Sequence, residues 1–556
     1  MSRNGTLSPQ GARVLLVGPY DPHCGEFTFL APPLGVWRLA GFLTNLGIAA
    51  EVFDPNCCSD TPTEELARTL AQGSWDVLGF STTGMTLRFD LELAHLARRQ
   101  CPDALIIAGG MEATFNPDLL FQIGPFDLIV LGEGEKPLLE IVNRLRAGRK
   151  LESIAGTAER SGLGTVNRFP QRALTREELR DSIFKTPYEK MPYRAYWERL
   201  ERSYRVGELP HKAQREASLA EIRSVRLITL NYCPMGCTFC SSTNFLNEAQ
   251  NGVAGIARLD ADECVQMIQR ISKTLPDVRS IIFQDDIFVF TQDPRILRLC
   301  DAILRAKSRG DLPQDLQFIS TNRIDAMNAE RLSAMRRAGF RVLGFGVESF
   351  SFNILTEFNK ARIFPYIDPI LKQALDLGIT PFLDLILTSP RCGLQDFAET
   401  VRRAYRWLMA GCELGMYPYV IPFSGAAMAR DATLVPHTVY STHRVAGTAV
   451  EWQQPSKILP VDPAVRRAIL SVEEEFQQWM EVLQPVAVHL PSRLRSLVWI
   501  ICASPVLAEL GEEAPDRSEA LEELLTRLPT VDPATMNAIR DFDLAMRNEA
   551  RVYASA

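Results

Sequence analysis

Apolar runs of five to eight residues, each closed by Gly, Pro, Ser or Thr and followed by an amphipathic stretch, recur along most of this chain. That alternation limits the fold more than any other feature, because strands separated by helices must lie parallel in one sheet. Five such runs fall in the first 150 residues: "RVLLVGPY", "AAEVFDP", "DVLGFSTT", "ALIIAGG" and "LIVLGEG". A second series begins at "VRLITLN" and continues through "RSIIFQDD", "LQFISTN", "RVLGFGVE", "TPFLDLILT" and "MYPYVIP".

The class is therefore α/β. The first series predicts a flavodoxin-like, doubly wound sheet over residues 12–150, with its ligand beyond the carboxyl ends of the strands. The second predicts a partial (βα)6 barrel over 224–434, with its chemistry at the same ends of its strands. Between them, residues 151–223 lose periodicity and gain charge, and read as a linker with some helix. Residues 435–556 read as a helical carboxyl-terminal domain on the substrate side. A chain of 556 residues is long enough for about three domains.

A net charge of −7 with both signs interspersed speaks against a nucleic-acid partner. The opening residues are short and polar, so no signal peptide is expected. The apolar run "SLVWIICASPVLAEL" is too short to span a bilayer and contains Pro505, so a buried helix is expected there. Twelve cysteines in such a chain are expected as reduced thiols in the cytoplasm.

Three of those cysteines need a separate account. Cys233, Cys237 and Cys240 form a CxxxCxxC run directly after the first strand of the second series, in a loop containing Pro234 and Gly236. A zinc site would want a fourth Cys or His at short spacing, and His211 and Cys264 do not supply it. The run resembles the signature of the radical S-adenosylmethionine (SAM) superfamily. That resemblance implies three irons of a 4Fe-4S cluster held by the cysteines, with the fourth left open to the amino and carboxylate groups of SAM. It further places Phe239 beside adenine, Asp285 and Asp286 on the SAM amine, Arg323 near the SAM carboxylate or ribose, Glu348 on the ribose side, and Ser424 near adenine.

The first series carries Ser81, Thr82 and Thr83 at the end of its third strand, Gly109 and Gly110 after the fourth, and Gly132, Glu133 and Gly134 after the fifth. Glycines there let backbone approach a large flat ligand, and hydroxyls can bond a nucleotide tail. With "APPLGVWRLAGFL", including Pro33 and Leu34, these turns resemble the cobalamin-binding domain that precedes many radical SAM barrels, although Thr83 stands where the Ser-x-Leu element has leucine. The first turn, "YDPHCGEF", departs from the Asp-x-His-x-x-Gly pattern because Gly25 falls one residue early, which leaves His23 undecided as a cobalt ligand. Cys24, Cys57, Cys58 and Cys101 raise a methylthiotransferase as a rival, but they lie outside that family's usual contexts.

The two resemblances together imply a cobalamin-dependent radical SAM enzyme, most simply one that methylates an unactivated carbon through methylcobalamin and a 5′-deoxyadenosyl radical. Cyclisation, ring contraction or oxygen insertion without methylation is the alternative. A non-catalytic cobalamin-binding sensor is a third reading. The expected partners are a small-molecule or peptide natural-product substrate and an electron donor such as a flavodoxin or ferredoxin system.

Overall fold

The computed structural model describes residues 12–22, 31–57, 61–162, 164–208, 212–484, 491–528 and 533–553. His23, Cys24 and Cys58 lie outside the described residues.

The first series forms one sheet in the order β2-β1-β3-β4-β5-β6-β7. Strands β1 (Arg13–Val17), β2 (Ala49–Phe53), β3 (Val77–Ser81), β4 (Leu105–Gly109) and β5 (Leu128–Val130) are parallel, in the expected flavodoxin-like order. Alternate residues enter separate cores on the two faces: Leu15, Leu78 and Ile106 on one, Val14, Val77 and Leu105 on the other. Burial on both faces explains why these strands read as continuous apolar runs.

The stretch expected to be a linker is structured throughout its described length. Strands β6 (Thr157–Arg160) and β7 (Val166–Phe169) extend the first sheet in antiparallel pairing. Three helices come next, Arg176–Phe184, Tyr193–Ser203 and Lys212–Ile222. In the second, Tyr193, Tyr196, Trp197 and Leu200 are buried at helical spacing, while the intervening charges hide that pattern in the sequence. The Tyr196 hydroxyl donates to the buried Asp54 carboxylate at the end of β2, 2.8 Å away, so this helix is tied directly to the first sheet.

The second series is a six-stranded parallel sheet in strict chain order: β8 (Ser224–Leu227), β9 (Ser280–Phe283), β10 (Gln317–Asn322), β11 (Phe340–Glu348), β12 (Thr380–Ile386) and β13 (Glu413–Tyr417). The sixth strand begins a few residues earlier than its sequence pattern suggested. Leu343, Phe345, Leu383 and Leu385 are fully buried on one face of the curved sheet. Thr321, Gly344, Gly346, Asp384, Gly415 and Tyr417 alternate with buried residues, which places them on the lumen face.

The region expected to be helical starts instead with an antiparallel hairpin, β14 (Thr438–Arg444) and β15 (Glu451–Ile458). Its alternation of polar and small residues around Gly447 lacks an apolar run, which is why it does not read as strand. Trp452 and Val445 of this hairpin enter a core of the first sheet, and Gln454 donates to the carbonyl of Gly84. Helices Pro463–Leu483, Ser492–Glu509, Arg517–Arg527 and Pro533–Tyr553 complete the chain. The apolar run around Pro505 lies in the second of these and is buried, as expected. Among the described residues no helix is long and apolar enough to cross a membrane.

The carboxyl ends of both sheets meet at one margin. Gly425, with φ +86°, lies so close to Phe115 that a Cβ would stand 2.2 Å from its ring. A Gly425→Ala substitution is therefore expected to part the two sheets locally and cost about 1–3 kcal/mol through strain and overpacking. Thermal unfolding and limited proteolysis of the variant measure this, and an unchanged melting profile would remove the contact from the account.

Candidate active site between the two strand-end rims

The cysteine loop starts where a buried acid fixes the end of β8. Asp285, just past β9, accepts from the Thr229 amide (2.6 Å), the Thr229 hydroxyl (2.5 Å) and the Leu230 amide (3.0 Å). Arg295 approaches the same Thr229 hydroxyl at 2.6 Å. Burial pushes the Asp285 carboxyl up to about 6, against these hydrogen bonds and the Arg295 charge. Both carboxylate oxygens are thus committed to backbone and threonine. The neighbouring Asp286 is exposed and takes a hydrogen bond from Ser242 at the start of the helix after the cysteines. Gln284, exposed two residues before it, shares its side of the strand end and was missed in the sequence because glutamine carries no distinctive signal.

From Asn231 the loop curls through Gly236, at φ +65°, and exposes Cys233, Cys237 and Cys240 partly. Its outer side is pinned: Thr238 donates from its hydroxyl to the Glu357 carbonyl (2.8 Å), and Asn359 donates to the Gly236 carbonyl (3.0 Å). Met428 donates its amide to the Thr238 carbonyl at 2.9 Å. Burial pushes the Cys233 thiol up to about 11, with Asp286 and the other two thiols adding to the effect. Cys237 is raised by burial too, with Lys360 acting against it. Phe239 packs on Phe358 with ring centres 4.8 Å apart.

Just past β10, Arg323 makes a two-pronged contact with Asp325, 2.8 Å on each arm, and aims its remaining nitrogen at the Met235 sulfur, 2.9 Å away. Glu348 closes β11 in a left-handed conformation, φ +65°, beside a register shift against β12. Its carboxylate pairs with Lys360 at 2.9 Å, and Lys360 also lies 5.9 Å over the Phe239 ring. Across the lumen, Asp384 stands between glycines on both neighbouring strands, Gly346 and Gly415. Burial raises its carboxyl to about 7, with Glu348 adding to the shift and Lys360 opposing it. Lys360 and Asp384 were not singled out in the sequence. The periodicity that puts Asp384 on the lumen face was legible in "TPFLDLILT", but the twelve-residue reach from Glu348 to Lys360 was not.

On the opposing rim, Ser81 and Thr83 are half-buried, whereas Thr82 is fully buried and donates to the Gly109 carbonyl at 3.0 Å. Thr83 shares a 2.8 Å hydrogen bond with Thr86, which donates to the buried Asp90 carboxylate at 2.6 Å. Gly110, at φ +98°, leaves no room for a Cβ, which would stand 2.7 Å from the Thr82 carbonyl oxygen. Gly109 would meet only Val130, at 3.9 Å, and Gly35, just after Pro33 and Leu34, nothing within 4 Å. Both positions leave open space beside the backbone.

The fifth-strand turn is used differently. A Cβ on Gly132 would stand 2.5 Å from Ala249 in the helix Ser242–Gln250, so this glycine admits a barrel helix. Glu133 is buried, accepts from the Leu174 amide at 2.6 Å and reaches Asn231, two residues before Cys233, at 3.5 Å. Gly134 packs near Leu39. Ser424 faces the same margin, donating to Glu112 at 3.2 Å and accepting from Asn116 at 2.8 Å. Gly132, Glu133 and Ser424 therefore join the two rims, while Gly134 packs within the first domain.

Among the described residues no three side chains already converge as metal ligands, but three half-exposed thiols share one loop beside Lys360 and Arg323, and metal binding would displace the protons that burial otherwise favours. The B12 binding domain model matches residues 22–142, and the Radical SAM superfamily model matches residues 227–404. The chain is a cobalamin-dependent radical SAM enzyme. Its cofactors are a 4Fe-4S cluster, SAM and cobalamin. It is 24% identical over 372 residues to the uncharacterized methyltransferase PH0819 of Pyrococcus horikoshii, covering 65% of this chain and 67% of that one. It is also 24% identical over 433 residues to the anaerobic magnesium-protoporphyrin IX monomethyl ester cyclase of Rubrivivax gelatinosus, covering 74% and 69%. In fold, this radical SAM enzyme resembles OxsB, a cobalamin-dependent S-adenosylmethionine radical enzyme, at a TM-score of 0.63 and 16% identity over 98% of this chain and 80% of that one. TsrM from Kitasatospora setae superimposes with a TM-score of 0.60 and 15% identity over 98% and 100% of the two chains.

Raising the Asp384 carboxyl from its ordinary 3.8 to about 7 means the folded chain prefers it protonated. Its contribution to stability is present in full below pH 4 and is lost as the pH rises to 7. Asp384→Asn is expected to gain stability relative to the wild type between pH 5 and pH 8, read as a urea midpoint of the apoprotein. Parallel wild-type and variant midpoints across that range would show that the carboxyl is not held protonated.

Proposed function

We propose that this enzyme transfers a methyl group to an unactivated carbon of a small-molecule or peptide substrate held between the two rims. The observation that supports the reading is the meeting of the rims: Ser424 against Glu112 and Asn231 against Glu133 tie the barrel's strand ends, which carry the cysteine loop, to the strand ends of the first sheet. A group bound at each rim would share one cavity. The names of PH0819 and of TsrM as methyltransferases support methylation. A second reading, cyclisation without methylation, is favoured by the similarity to the magnesium-protoporphyrin cyclase over three-quarters of the chain.

Cys233, Cys237 and Cys240 would hold the cluster. Asp286 and Gln284, exposed at the end of β9, supply acceptors for the SAM amine, a role Asp285 is too fully bonded to fill. Lys360 is placed to take the methionyl carboxylate, and Glu348 and Asp384 to accept from the ribose hydroxyls beneath it. Phe239 offers its ring to adenine. Arg323 acts through Asp325 and Met235, steadying the loop from outside. On the other rim, Ser81 and Thr83 present hydroxyls and Gly109 and Gly110 present backbone to cobalamin. When bound, the cluster supplies a low-potential electron to SAM, and cobalamin supplies a carrier for the methyl group. The protein's own part is orientation and exclusion of water: glycines at 344, 346 and 415 leave the lumen room for the nucleoside, and the hairpin β14–β15 lies against the first sheet's rim at Gly84.

Anaerobic reconstitution with iron, sulfide and cobalamin, followed by SAM and a reductant, tests the reading. Formation of 5′-deoxyadenosine together with S-adenosylhomocysteine is expected, and deoxyadenosine alone would favour the second reading. Changing Cys240 to Ala is expected to abolish deoxyadenosine, and its persistence would sink the cluster assignment. Lys360→Met should weaken binding of S-adenosylhomocysteine to the reconstituted enzyme about tenfold, since a charge-assisted contact is lost. Unaltered affinity in calorimetry would take Lys360 out of the site.

A further inference from the structure

The first sheet ends at β2, on the side opposite to its extension by β6 and β7. The Gly18 amide donates to the Phe53 carbonyl, which sets the parity of the β1–β2 ladder. The polar backbone groups of Ala49, Glu51 and Phe53 therefore face β1, and those of Ala50 and Val52 face outward. Among the described residues no hydrogen bond reaches the outward amides and carbonyls of Ala50 and Val52. Sheet edges are ordinarily blunted by a proline, a bulge, a charge or a covering element, because an open one is a template for another strand. β2 has no proline and keeps its register with β1 over all five residues. Its one charged side chain, Glu51, turns inward onto Arg13 of β1, 2.8 Å away.

A cavity of about 500 Å³ lies against this open edge. One wall is the helix Leu34–Asn45, which presents Trp37, Gly41 and Asn45 at helical spacing. The other is the chain that leaves the helix Arg176–Phe184. Gly41 admits that chain, since a Cβ there would stand 2.2 Å from the Lys185 carbonyl oxygen. Arg270, on the barrel helix Ala261–Thr274, fixes it by donating to the Phe184 carbonyl and, at 3.1 Å, to the Glu189 carboxylate. The groove is thus shaped before anything enters it.

The charges that line the groove do not cancel. Glu51 is paired with Arg13 and Glu189 with Arg270, which leaves Lys185 and Lys190. Among the described residues neither lysine has a carboxylate partner; Lys185 is half-buried with its Nζ 5.4 Å over the Phe42 ring, and Lys190 is exposed. A small anion would meet the lysines and leave the edge carbonyls unsatisfied. An extended chain with acidic side chains satisfies both, its backbone continuing the ladder and its carboxylates meeting the lysines. We propose that the groove between β2 and residues 185–190 is a docking site for an extended, acidic segment of a polypeptide, added as a further strand to the edge of the first sheet. The added strand would stand four strand spacings, about 19 Å, from β4 and its Gly109, so the site is separate from the gap between the rims.

Fluorescence anisotropy of a labelled peptide, three repeats of Glu-Val-Thr, with the anaerobically reconstituted enzyme tests this. Saturable binding is expected. The same peptide N-methylated at each valine should bind about tenfold more weakly, because neither of its edges can continue the ladder. The double variant Lys185→Glu/Lys190→Glu is expected to lower the affinity about tenfold and to remove most of its salt dependence. Lys372→Glu, on an exposed face of the barrel, should leave it unchanged. Hydrogen exchange of residues 49–53 should slow when the peptide is bound. Absence of saturable binding, equal binding of the N-methylated peptide, or an unchanged affinity in the double variant would overturn the proposal. So would displacement of the peptide by inorganic phosphate, which would make the groove a site for a small anion. The N-methylated comparison needs only the wild type, so it decides the matter even where the double variant fails to fold.

Discussion

Everything at the active rim depends on one buried carboxylate. Asp285 draws the amides of Thr229 and Leu230 onto itself and, with Arg295 beside it, fixes the point where β8 stops and the cysteine loop begins. A buried acid can hold two amides and a hydroxyl this way only because each bond offsets part of its desolvation. Loss of any partner would leave charge or dipole uncompensated at the root of the loop. Because Asp285 points inward, Asp286 and Gln284 must point the other way, which is how one strand end provides both an anchor and an open acceptor.

The lumen shows a second balance. Glu348 sits in a backbone conformation that a side chain normally avoids, and its pairing with Lys360 compensates for that strain. Lys360 then neutralises one acid while lying close to Phe239 and Cys237. Asp384 has no such cation of its own and is left preferring its proton, a state that a ligand with hydroxyl donors could replace.

Much of this was legible in the sequence. All eleven strands of the two βα series were visible, most of the first sheet because they are apolar on both faces and the barrel strands because short apolar runs end in turn residues, and the cysteine loop was visible because its spacing is rare. The identity of the anchoring acid was not, since two adjacent aspartates at a strand end differ only in direction. Gly132, Glu133 and Ser424 looked like ligand-facing turn residues, and the structure shows each of them also in contact with the other domain. Glycine signals close approach without saying what approaches. Strands β6 and β7, and the hairpin β14–β15, were hidden because short polar strands carry no apolar run.

That hairpin alters what counts as a domain here. Trp452 and Val445 fill a core whose other members come from the first 160 residues and the barrel helix Ser242–Gln250. The first sheet is therefore completed by residues synthesised some three hundred positions later, after the whole barrel has emerged. A fragment cut at the end of the barrel would keep every motif that defines the two families and still expose the underside of its first core. The recognisable modules and the folding unit are not the same stretch of chain.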